Sequence, residues 1–339
     1  MSHQPLAIYL QDKHAIRDEF TFARYAEERG FDAIWQADTR LARDCISMMG
    51  ALAAITTRVK IGSGVLPMWP RNVATLAATY STLWEMSGGR IICGLGSWWE
   101  PITSKVGIKR IKPLQAMREY VTVLRKLFAR EVVTWQSEFI NLDEVQLDII
   151  HGDTRPRPIP IYIGATGDKM LELTGEIADG AVLNYMVSPA YIRKAVERLR
   201  IGAARAGRTL DMLDRPELIV VSMDKDRGKA LEPARELLVQ YLGQEPHIMK
   251  ASGVSQDLLD QVHQVLTWPT TKEKVQQAMH LVPDDAVQLV TASGTPYEVV
   301  DKVKEYIAAG CTCPIMYSLQ DDIRPMIDVF VEAFPRNKT

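Results

Sequence analysis

Short apolar segments that alternate with amphipathic helical segments constrain the fold of this chain more than any other feature. Because parallel strands are joined by long crossovers, usually helices, this alternation predicts a parallel sheet covered by helices. Eight strand–helix units predict a (β/α)8 barrel, an α/β fold. A doubly wound open sheet is the alternative, and the lack of a Gly-x-Gly-x-x-Gly sequence after the first strand counts against it. The predicted strands are residues 6–10, 32–35, 59–66, 91–95, 159–163, 180–183, 218–223 and 313–318.

The whole chain, residues 1–339, is predicted to form one barrel domain with two insertions. Its 339 residues, 47% of them hydrophobic, suffice for one large domain or two ordinary ones, and the continuous alternation favours one. Residues 131–150 predict a β-hairpin excursion. Residues 243–283 predict a helical insertion that serves either as a lid or as a dimer contact.

The composition argues against several classes of protein. A net charge of −2 disfavours a nucleic-acid or membrane-surface partner. No apolar run approaches the roughly 20 residues that span a bilayer, and the N-terminal residues lack the pattern of a signal peptide. The four cysteines form no Cys-x-x-Cys pair and the six histidines no i,i+4 pair. We therefore expect a cytoplasmic protein without a metal site.

Glycines that follow two of the predicted strands mark a candidate ligand-binding edge. Residues 87–96 hold two helix-ending glycines, then an apolar strand with Gly94 and Gly96. Glycines at a strand end leave room for a flat group to approach the backbone. Residues 164–167, Gly-Ala-Thr-Gly, precede a helix start, where free backbone N–H groups attract phosphate. Thr166 is expected to cap that helix, although an ordinary tight turn explains these four residues equally well.

The loop after the fourth strand carries candidate substrate-binding side chains. Trp98 and Trp99 predict a wall for a flat or apolar substrate, or else they pack beneath the loops, and Trp69 is a third candidate. Glu100 is a candidate general acid, although a solvated loop charge is the simpler interpretation. A basic cluster follows, either as a solvated face or as a site for an anionic tail. It consists of Lys105, Lys109, Arg110 and Lys112.

Four motifs, in their order and spacing, resemble the luciferase-like superfamily of flavin- and deazaflavin-dependent oxidoreductases. They are residues 26–35, 57–65, 87–96 and 158–170, the last followed by residues 176–180. Within the superfamily, the spacing is closest to that of the methylenetetrahydromethanopterin reductases, which use coenzyme F420. The resemblance runs from about residue 6 to residue 225 and is diffuse beyond.

The resemblance implies a coenzyme ring that lies across the carboxyl ends of the strands, and a cis Gly64–Val65 peptide that supports it from behind. Relatives often have Asp-His after the second strand, but this chain has Asp38-Thr39, so the role of the histidine does not carry over. Tyr9 stands where the reductases have a glutamate and is a candidate catalytic residue. The candidate coenzyme-binding residues are Asp38, Thr39, Ser63, Gly64, Val65, Gly96, Ser97, Gly164, Ala165, Thr166, Gly167 and Asn184.

Three functions remain open at this point. The first is F420-dependent hydride transfer involving a small organic substrate, with pterin- and folate-like compounds as candidates. The basic cluster favours it, because F420 carries an acidic tail. The second is an FMN-dependent monooxygenase or reductase on the same barrel, and the third is a non-catalytic flavin-binding protein. In the two enzymatic cases the coenzyme, not the protein, supplies the redox chemistry. The resemblance also implies a homodimer.

Overall fold

The parallel strands form one strongly curved sheet, in a computed structural model that describes residues 3–10, 13–38 and 40–335. In this part of the chain the order of neighbouring strands is β11-β10-β12-β1-β2-β3-β5-β8-β9, and β4 pairs with β5. The strands are β1 (Ala7–Tyr9), β2 (Ala33–Gln36), β3 (Lys60–Ser63), β4 (Leu66–Pro67), β5 (Ile91–Gly96), β6 (Val133–Gln136), β7 (Asn141–Val145), β8 (Ile161–Gly164), β9 (Gly180–Val182), β10 (Pro216–Met223), β11 (Ala292–Gly294) and β12 (Cys313–Ser318).

Backbone hydrogen bonds between β9 and β10 join the two sides of this sheet. The Ala181 N–H donates to the Asp214 carbonyl oxygen at 2.8 Å, and the Leu183 N–H donates to the Pro216 carbonyl oxygen at 2.8 Å. These bonds complete a ring of eight parallel strands, β1-β2-β3-β5-β8-β9-β10-β12. The predicted (β/α)8 barrel is therefore confirmed, and the open sheet is wrong. Strand β11, which the sequence did not predict, pairs with the second half of β10.

Helices follow the strands and cover the outside of the barrel. Asn72 caps α3, where its side chain accepts from the Ala74 N–H at 2.8 Å, and Gly88 ends that helix at φ 66°. A reciprocal capping box between Thr295 and Glu298 starts α13. The helices are α1 (Ile16–Glu28), α2 (Cys45–Ile55), α3 (Val73–Ser87), α4 (Ile102–Lys105), α5 (Pro113–Phe128), α6 (Asp168–Ile177), α7 (Pro189–Arg205), α8 (Arg227–Gln244), α9 (Pro246–Ala251), α10 (Gln256–Val265), α11 (Lys272–Met279), α12 (Asp284–Val290), α13 (Pro296–Ala308) and α14 (Arg324–Ala333), with a 3-10 turn at Leu210–Met212.

Two segments depart from the strand–helix alternation. Strands β6 and β7 pair antiparallel, so a hairpin occupies much of residues 131–150. The predicted insertion at residues 243–283 holds the end of α8 together with α9, α10 and α11. Among the described residues, no helix is both long and apolar enough to cross a membrane.

Large side chains fill the inside of the barrel and dictate where glycine is required. The Trp35 ring occupies the space in which a Cβ at Gly62 would lie, only 2.5 Å from the ring. A second, larger core lies between the strands and the helices, because successive side chains of a strand point to opposite faces. The residues of the inner core are Ala7, Tyr9, Ala33, Trp35, Ile92, Tyr162, Val182, Leu218, Cys313 and Ile315.

Strands β3 and β5 are in close contact at Ser63 and Gly94. The Ser63 hydroxyl accepts from the Gly94 N–H at 2.8 Å and donates to the Gly94 carbonyl oxygen at 2.8 Å. It also lies 2.6 Å from the Tyr80 hydroxyl. A Cβ at Gly94 would overlap the Ser63 carbonyl oxygen, which is backbone and cannot move aside alone. Glycine is therefore required at residue 94.

Replacing Gly94 with alanine should destabilise the protein by about 1–3 kcal/mol, because the extra carbon overpacks a rigid contact. Gly50 provides the matched control, since a Cβ there would meet the nearest atom, of Leu83, at an ordinary 3.8 Å inside α2. Gly50→Ala should be neutral or stabilising by up to about 1 kcal/mol. Urea unfolding measures both free energies, and equal effects would refute the proposed overlap.

Candidate functional site

A cleft of about 580 Å³ lies at the carboxyl ends of the barrel strands. This is the end at which barrel enzymes carry their active sites, because the loops that follow the strands converge there. Most of the residues that the sequence nominated contribute to its lining. They are Tyr9, Asp38, Gly64, Val65, Gly96, Ser97, Trp98, Trp99, Glu100, Gly164, Ala165, Thr166 and Asn184.

Four nominated residues do not belong to the lining described for this cleft. Ser63 is fully buried, and its hydroxyl holds β3 against β5. Trp69 donates from Nε1 to the Ser97 carbonyl oxygen at 2.8 Å, so it supports the loop instead of lining the cleft. Gly167 lies one residue beyond the lining, at the start of α6. Thr39 falls outside the described residues.

Val65 occupies the space that the strand-end glycines leave open. The Gly64–Val65 peptide is cis, as the resemblance implied. A Cβ at Gly164 would lie 3.0 Å from both γ-carbons of Val65, and a Cβ at Gly96 would overlap one of them. These glycines therefore make room for Val65, which in turn faces the cleft. Gly96 and Gly164 also line the cleft, so the expectation that a flat ligand approaches their backbone stays a prediction.

Asp38 is held from behind by the protein itself. Its Oδ1 accepts from the Cys45 N–H at 2.7 Å, and its Oδ2 accepts from the Arg71 guanidinium at 3.0 Å. The same guanidinium also binds Asp44 at 2.9 Å. Arg71 thus ties Asp38, which lines the cleft, to Asp44 at the start of α2.

Glu100 is engaged as an acceptor of local hydrogen bonds. Its Oε2 accepts from the Ser104 hydroxyl at 2.7 Å and from the Ser104 N–H at 3.2 Å. Hydrogen bonds from Thr103 and Ser104 lower the pKa of the Glu100 carboxyl below its ordinary value. Because a general acid must hold a proton at the working pH, this environment argues against that role for Glu100.

Some residues of the loop after β5 and of the basic cluster line the cleft, and others face solvent. Trp98 and Arg110 line the cleft, and Nε1 of Trp98 and Nε of Arg110 are buried without a hydrogen-bond partner among the described residues. Lys112 pairs with Glu138 at 2.8 Å. Lys105 and Lys109 are exposed. Of the basic cluster, Arg110 therefore lies at the cleft, while the three lysines face outward.

The segment 164–167 leads into α6 without a side-chain cap. Gly167 is the N-cap residue, so the expected capping by Thr166 is wrong. The Tyr191 hydroxyl instead donates to the Thr166 carbonyl oxygen at 2.7 Å. Asp168 pairs with Arg198 at 2.7 Å, which offsets its negative charge at the helix start.

The wall formed by α8 and α9 was missed from the sequence. The Asn184 amide donates to the Tyr241 hydroxyl at 2.8 Å, and the Tyr185 and Tyr241 ring centroids lie 4.9 Å apart. These contacts attach the wall to the end of β9. The spacing of Gln240, Tyr241, Gln244 and Glu245 on one helix face is the signal that could have found it. The additional lining residues are Ala37, Arg40, Pro67, Arg110, Val182, Leu183, Tyr185, Leu218, Leu237, Gln240, Tyr241, Gln244, Glu245, His247, Ile248 and Tyr317.

Tyr9 and Glu245 have distinct surroundings. Tyr9 is only 5% exposed and packs edge-on against Tyr317, with ring centroids 5.4 Å apart. Burial raises the pKa of the Glu245 carboxyl, and the positive charges of His247 and Arg110 partly oppose that shift. Within the described residues, no group of three metal-ligating side chains exists.

Comparison with known proteins agrees with a barrel that carries a ligand cleft at its carboxyl end. The chain is 33% identical to a 5,10-methylenetetrahydromethanopterin reductase of Archaeoglobus fulgidus over 293 residues, 86% of each chain. It is 29% identical to an F420-dependent glucose-6-phosphate dehydrogenase of Nakamurella multipartita, over 84% of this chain and 81% of that one. The structure of a coenzyme F420-dependent tetrahydromethanopterin reductase from Methanopyrus kandleri has the same fold, with a TM-score of 0.86 at 24% identity. That match covers 98% of this chain and 100% of the other.

Residues 2–313 match the model of the luciferase-like monooxygenase family. The chain belongs to this family. The superfamily indicated by the four sequence motifs is thereby confirmed.

Replacing Arg71 with methionine should lower the free energy of unfolding by about 1–3 kcal/mol, because the half-buried Asp38 carboxylate loses a donor. Arg200 pairs with Glu197 at 2.6 Å, but both side chains are more than half exposed, at 56% and 52%. Arg200→Met should therefore cost about 0–1 kcal/mol. Urea unfolding of the two variants compares them directly. An Arg71→Met loss no larger than that of the control would show that Arg71 does not anchor Asp38.

Proposed function

We propose that this protein is a coenzyme F420-dependent oxidoreductase that transfers a hydride between the deazaflavin and a small planar substrate of the pterin or folate class. The observation that carries the proposal is the 33% identity with a 5,10-methylenetetrahydromethanopterin reductase over 86% of both chains. The F420-dependent dehydrogenase among the relatives supports the same coenzyme. The difference between these two relatives lies in the substrate, so the substrate class needs separate support.

The residues of the cleft fit a large planar coenzyme. Gly64 and Val65 form a surface at the strand ends. The neighbouring residues Gly96 and Gly164 have no side chains, so they do not cover it. The buried Nε1 of Trp98 offers an unsatisfied donor to a ring carbonyl. Residues 164–167 offer backbone N–H groups ahead of α6 to a phosphate. We assign the ring to Gly64 and Val65 and the phosphate to residues 164–167.

Bound F420 supplies two-electron hydride chemistry, and the protein supplies position and environment. Val65 and the floor around Tyr9 would hold one face of the ring, which leaves the other face to the substrate. The aromatic residues Trp98, Trp99 and Tyr185 would exclude water from the reacting atoms. Positioning the substrate carbon about 3–3.5 Å from the donor then contributes most of what the protein can add.

Aromatic side chains in the part of the cleft away from Gly64 and Val65 favour a planar substrate. Trp98, Trp99, Tyr185 and Tyr241 all line the cleft, and flat rings stack favourably on such side chains. Gln240 and Gln244 add hydrogen-bonding groups on the same wall. A pterin or folate ring matches this combination of flat surface and polar edge. Tyr9 lines the same cleft and stays a candidate catalytic residue, at the position where the reductases have a glutamate.

We further propose that the protein is cytoplasmic and forms a homodimer. Its cysteines, Cys45, Cys93, Cys311 and Cys313, are buried and unpaired, which suits a reducing compartment. The homodimer rests on the resemblance to the superfamily.

The coenzyme preference predicts the outcome of an absorption titration. F420 should bind with saturable spectral change, and FMN should bind more weakly. Replacing the exposed Lys105 and Lys109 with glutamine should weaken F420 binding more at low salt than at high salt, since exposed charges are screened within about 8–10 Å at physiological ionic strength. FMN has no acidic tail and should be less affected. Tight FMN binding without F420 binding would reject the proposal and favour the monooxygenase alternative.

The phosphate assignment predicts opposite effects on binding and on stability at Gly167. Aspartate is a preferred N-cap residue, so Gly167→Asp should keep or stabilise α6. Its charge should nevertheless weaken F420 binding by about tenfold or more, which corresponds to about 1.4 kcal/mol. Gly167→Asn has the same size and capping ability without the charge, and it should bind F420 nearly as well as the wild type. Unchanged affinity in Gly167→Asp would rule out residues 164–167 as the phosphate site.

A further inference from the structure

Three carboxyl groups line the cleft in the part of the chain that is described: Asp38, Glu100 and Glu245. Both carboxyl oxygens of Asp38 are occupied by protein donors, Oδ1 by the Cys45 N–H and Oδ2 by the Arg71 guanidinium. Glu100 accepts from Ser104. Both groups are therefore already engaged as acceptors by the protein. Glu245 is the carboxyl group of this set that is left for a proton-carrying role.

Glu245 lines the cleft and has few partners among the described residues. Its side chain is only 17% exposed, and its nearest charged neighbour, Nδ1 of His247, lies 3.6 Å from Oε2. No hydrogen bond reaches its carboxyl oxygens within the described ranges, unlike those of Asp38 and Glu100. A carboxyl group that is removed from water and lacks hydrogen-bond donors favours its neutral, protonated form.

Glu245 also lies on the wall that reaches the strand ends. It follows Tyr241 by four residues, and its N–H donates to the Tyr241 carbonyl oxygen at 2.8 Å, which continues the helical turn. The Tyr241 hydroxyl in turn accepts from Asn184 at the end of β9. Residues four apart share one helix face, so the contact of Tyr241 with β9 places Glu245 above the same end of the barrel.

We propose that Glu245 is a catalytic residue that donates a proton to the substrate during its reduction, a role that rests on the proposed function. This chain has Tyr9 at the position where the reductases have a glutamate, so it has no carboxyl group there. In the proposal, Glu245 supplies that acidic group from another part of the cleft. Tyr9 is buried against Tyr317, and a phenol is a far weaker acid than a carboxyl group.

The step is balanced for a methylene-bridged tetrahydropterin. The bridging carbon accepts the hydride from the reduced deazaflavin, and one carbon–nitrogen bond of the bridge breaks with its electron pair going to nitrogen. The O–H bond of Glu245 breaks, and its proton goes to that nitrogen. The coenzyme, having given up the hydride, would release its ring N–H proton to solvent. The products would be a methyl group, an N–H group, the neutral oxidised coenzyme and the Glu245 carboxylate, and a proton from solvent would then restore Glu245. The exposed His247, with Nδ1 3.6 Å from Glu245 Oε2, is the neighbour on the solvent side.

The surroundings of Glu245 set the direction of its pH dependence. Burial raises the pKa of this carboxyl, and the charges of His247 and Arg110 lower it. Tyr185 and Tyr241 also face it, and their own pKa values are raised, so both remain neutral hydroxyls. Since the acid must be protonated, the rate of reduction should fall as the pH rises through the pKa of Glu245. The reverse oxidation, which needs the carboxylate, should show the opposite trend.

The test compares Glu245 variants in the F420-loaded enzyme, with 5,10-methylenetetrahydromethanopterin and 5,10-methylenetetrahydrofolate as substrates. Glu245→Gln should lower kcat for reduction by roughly 10²-fold or more, since general acids typically contribute about 10²–10⁴-fold. It should also lose the basic limb of the pH profile and leave the affinity for F420 unchanged. Glu245→Asp should restore part of that limb. Glu236→Gln, on the same helix outside the cleft lining, is the matched control and should change neither.

A second set of variants and a direct titration separate this role from a structural one. Arg110→Met removes a charge that lowers the pKa of Glu245, so the limb should move to higher pH. His247→Gln should move it in the same direction without abolishing it. Carbon-13 NMR of glutamate-labelled protein without coenzyme should show a carboxyl that titrates above the ordinary range of about 4.3 and disappears in Glu245→Gln. Burial also raises the pKa of Glu217, whose signal should remain in that variant.

The outcomes distinguish the two proposals. If the wild type reduces either substrate with F420, and Glu245→Gln keeps its rate within threefold with the same pH limb, the role of Glu245 is overturned. If the wild type binds no F420 or reduces neither substrate, the proposed function fails. In that case the NMR titration still decides on Glu245, because a carboxyl titrating in the ordinary range would overturn its role as a proton carrier.

Discussion

The close approach of Val65 to the ends of β5 and β8 is the contact on which the cleft depends. Gly96 and Gly164 have no side chains, and the γ-carbons of Val65 fill that space. One step deeper, the Ser63 carbonyl oxygen occupies the position that a side chain at residue 94 would need. Since interiors are packed to near-crystalline density, an added carbon would have to displace the Val65 side chain at Gly96 or Gly164, and backbone at Gly94. The shape of the cleft floor is therefore a consequence of three glycines on two strands.

Above this floor, the carboxyl groups of the cleft differ because their hydrogen-bond partners differ. Arg71 and a helix N–H hold Asp38 as an acceptor, and Ser104 does the same for Glu100. Glu245 comes from the junction of α8 and α9, where burial is not compensated by donors. The barrel strands thus supply a rigid floor, while the helices after β10 supply the group whose protonation can change. Separating these tasks lets substrate chemistry vary without altering the floor.

The sequence predicted those parts of the protein that depend on neighbours along the chain. The eight strands, the glycines that end a helix within residues 87–96 and the residues that follow each strand are all local patterns. The wall of Gln240, Tyr241 and Glu245 could not be placed, because it reaches the cleft only through a contact with Asn184, 57 residues earlier. Ser63 and Trp69 were assigned to the ligand, since nothing local shows that their hydrogen bonds go to Gly94 and Ser97. The sequence predicted which end of the barrel carries the site. Only the tertiary contacts show which side chains face the cleft there.

A crystal structure of the protein with bound F420 tests the central claim most directly, because that claim is about where the coenzyme lies. The account predicts that one face of the deazaflavin ring packs on Gly64 and Val65, that the phosphate contacts the backbone of residues 164–167, and that the open face points toward Glu245. A ring bound away from Val65, or a phosphate held elsewhere, would contradict it. Such a result would mean that the glycine-lined floor has a purely structural role.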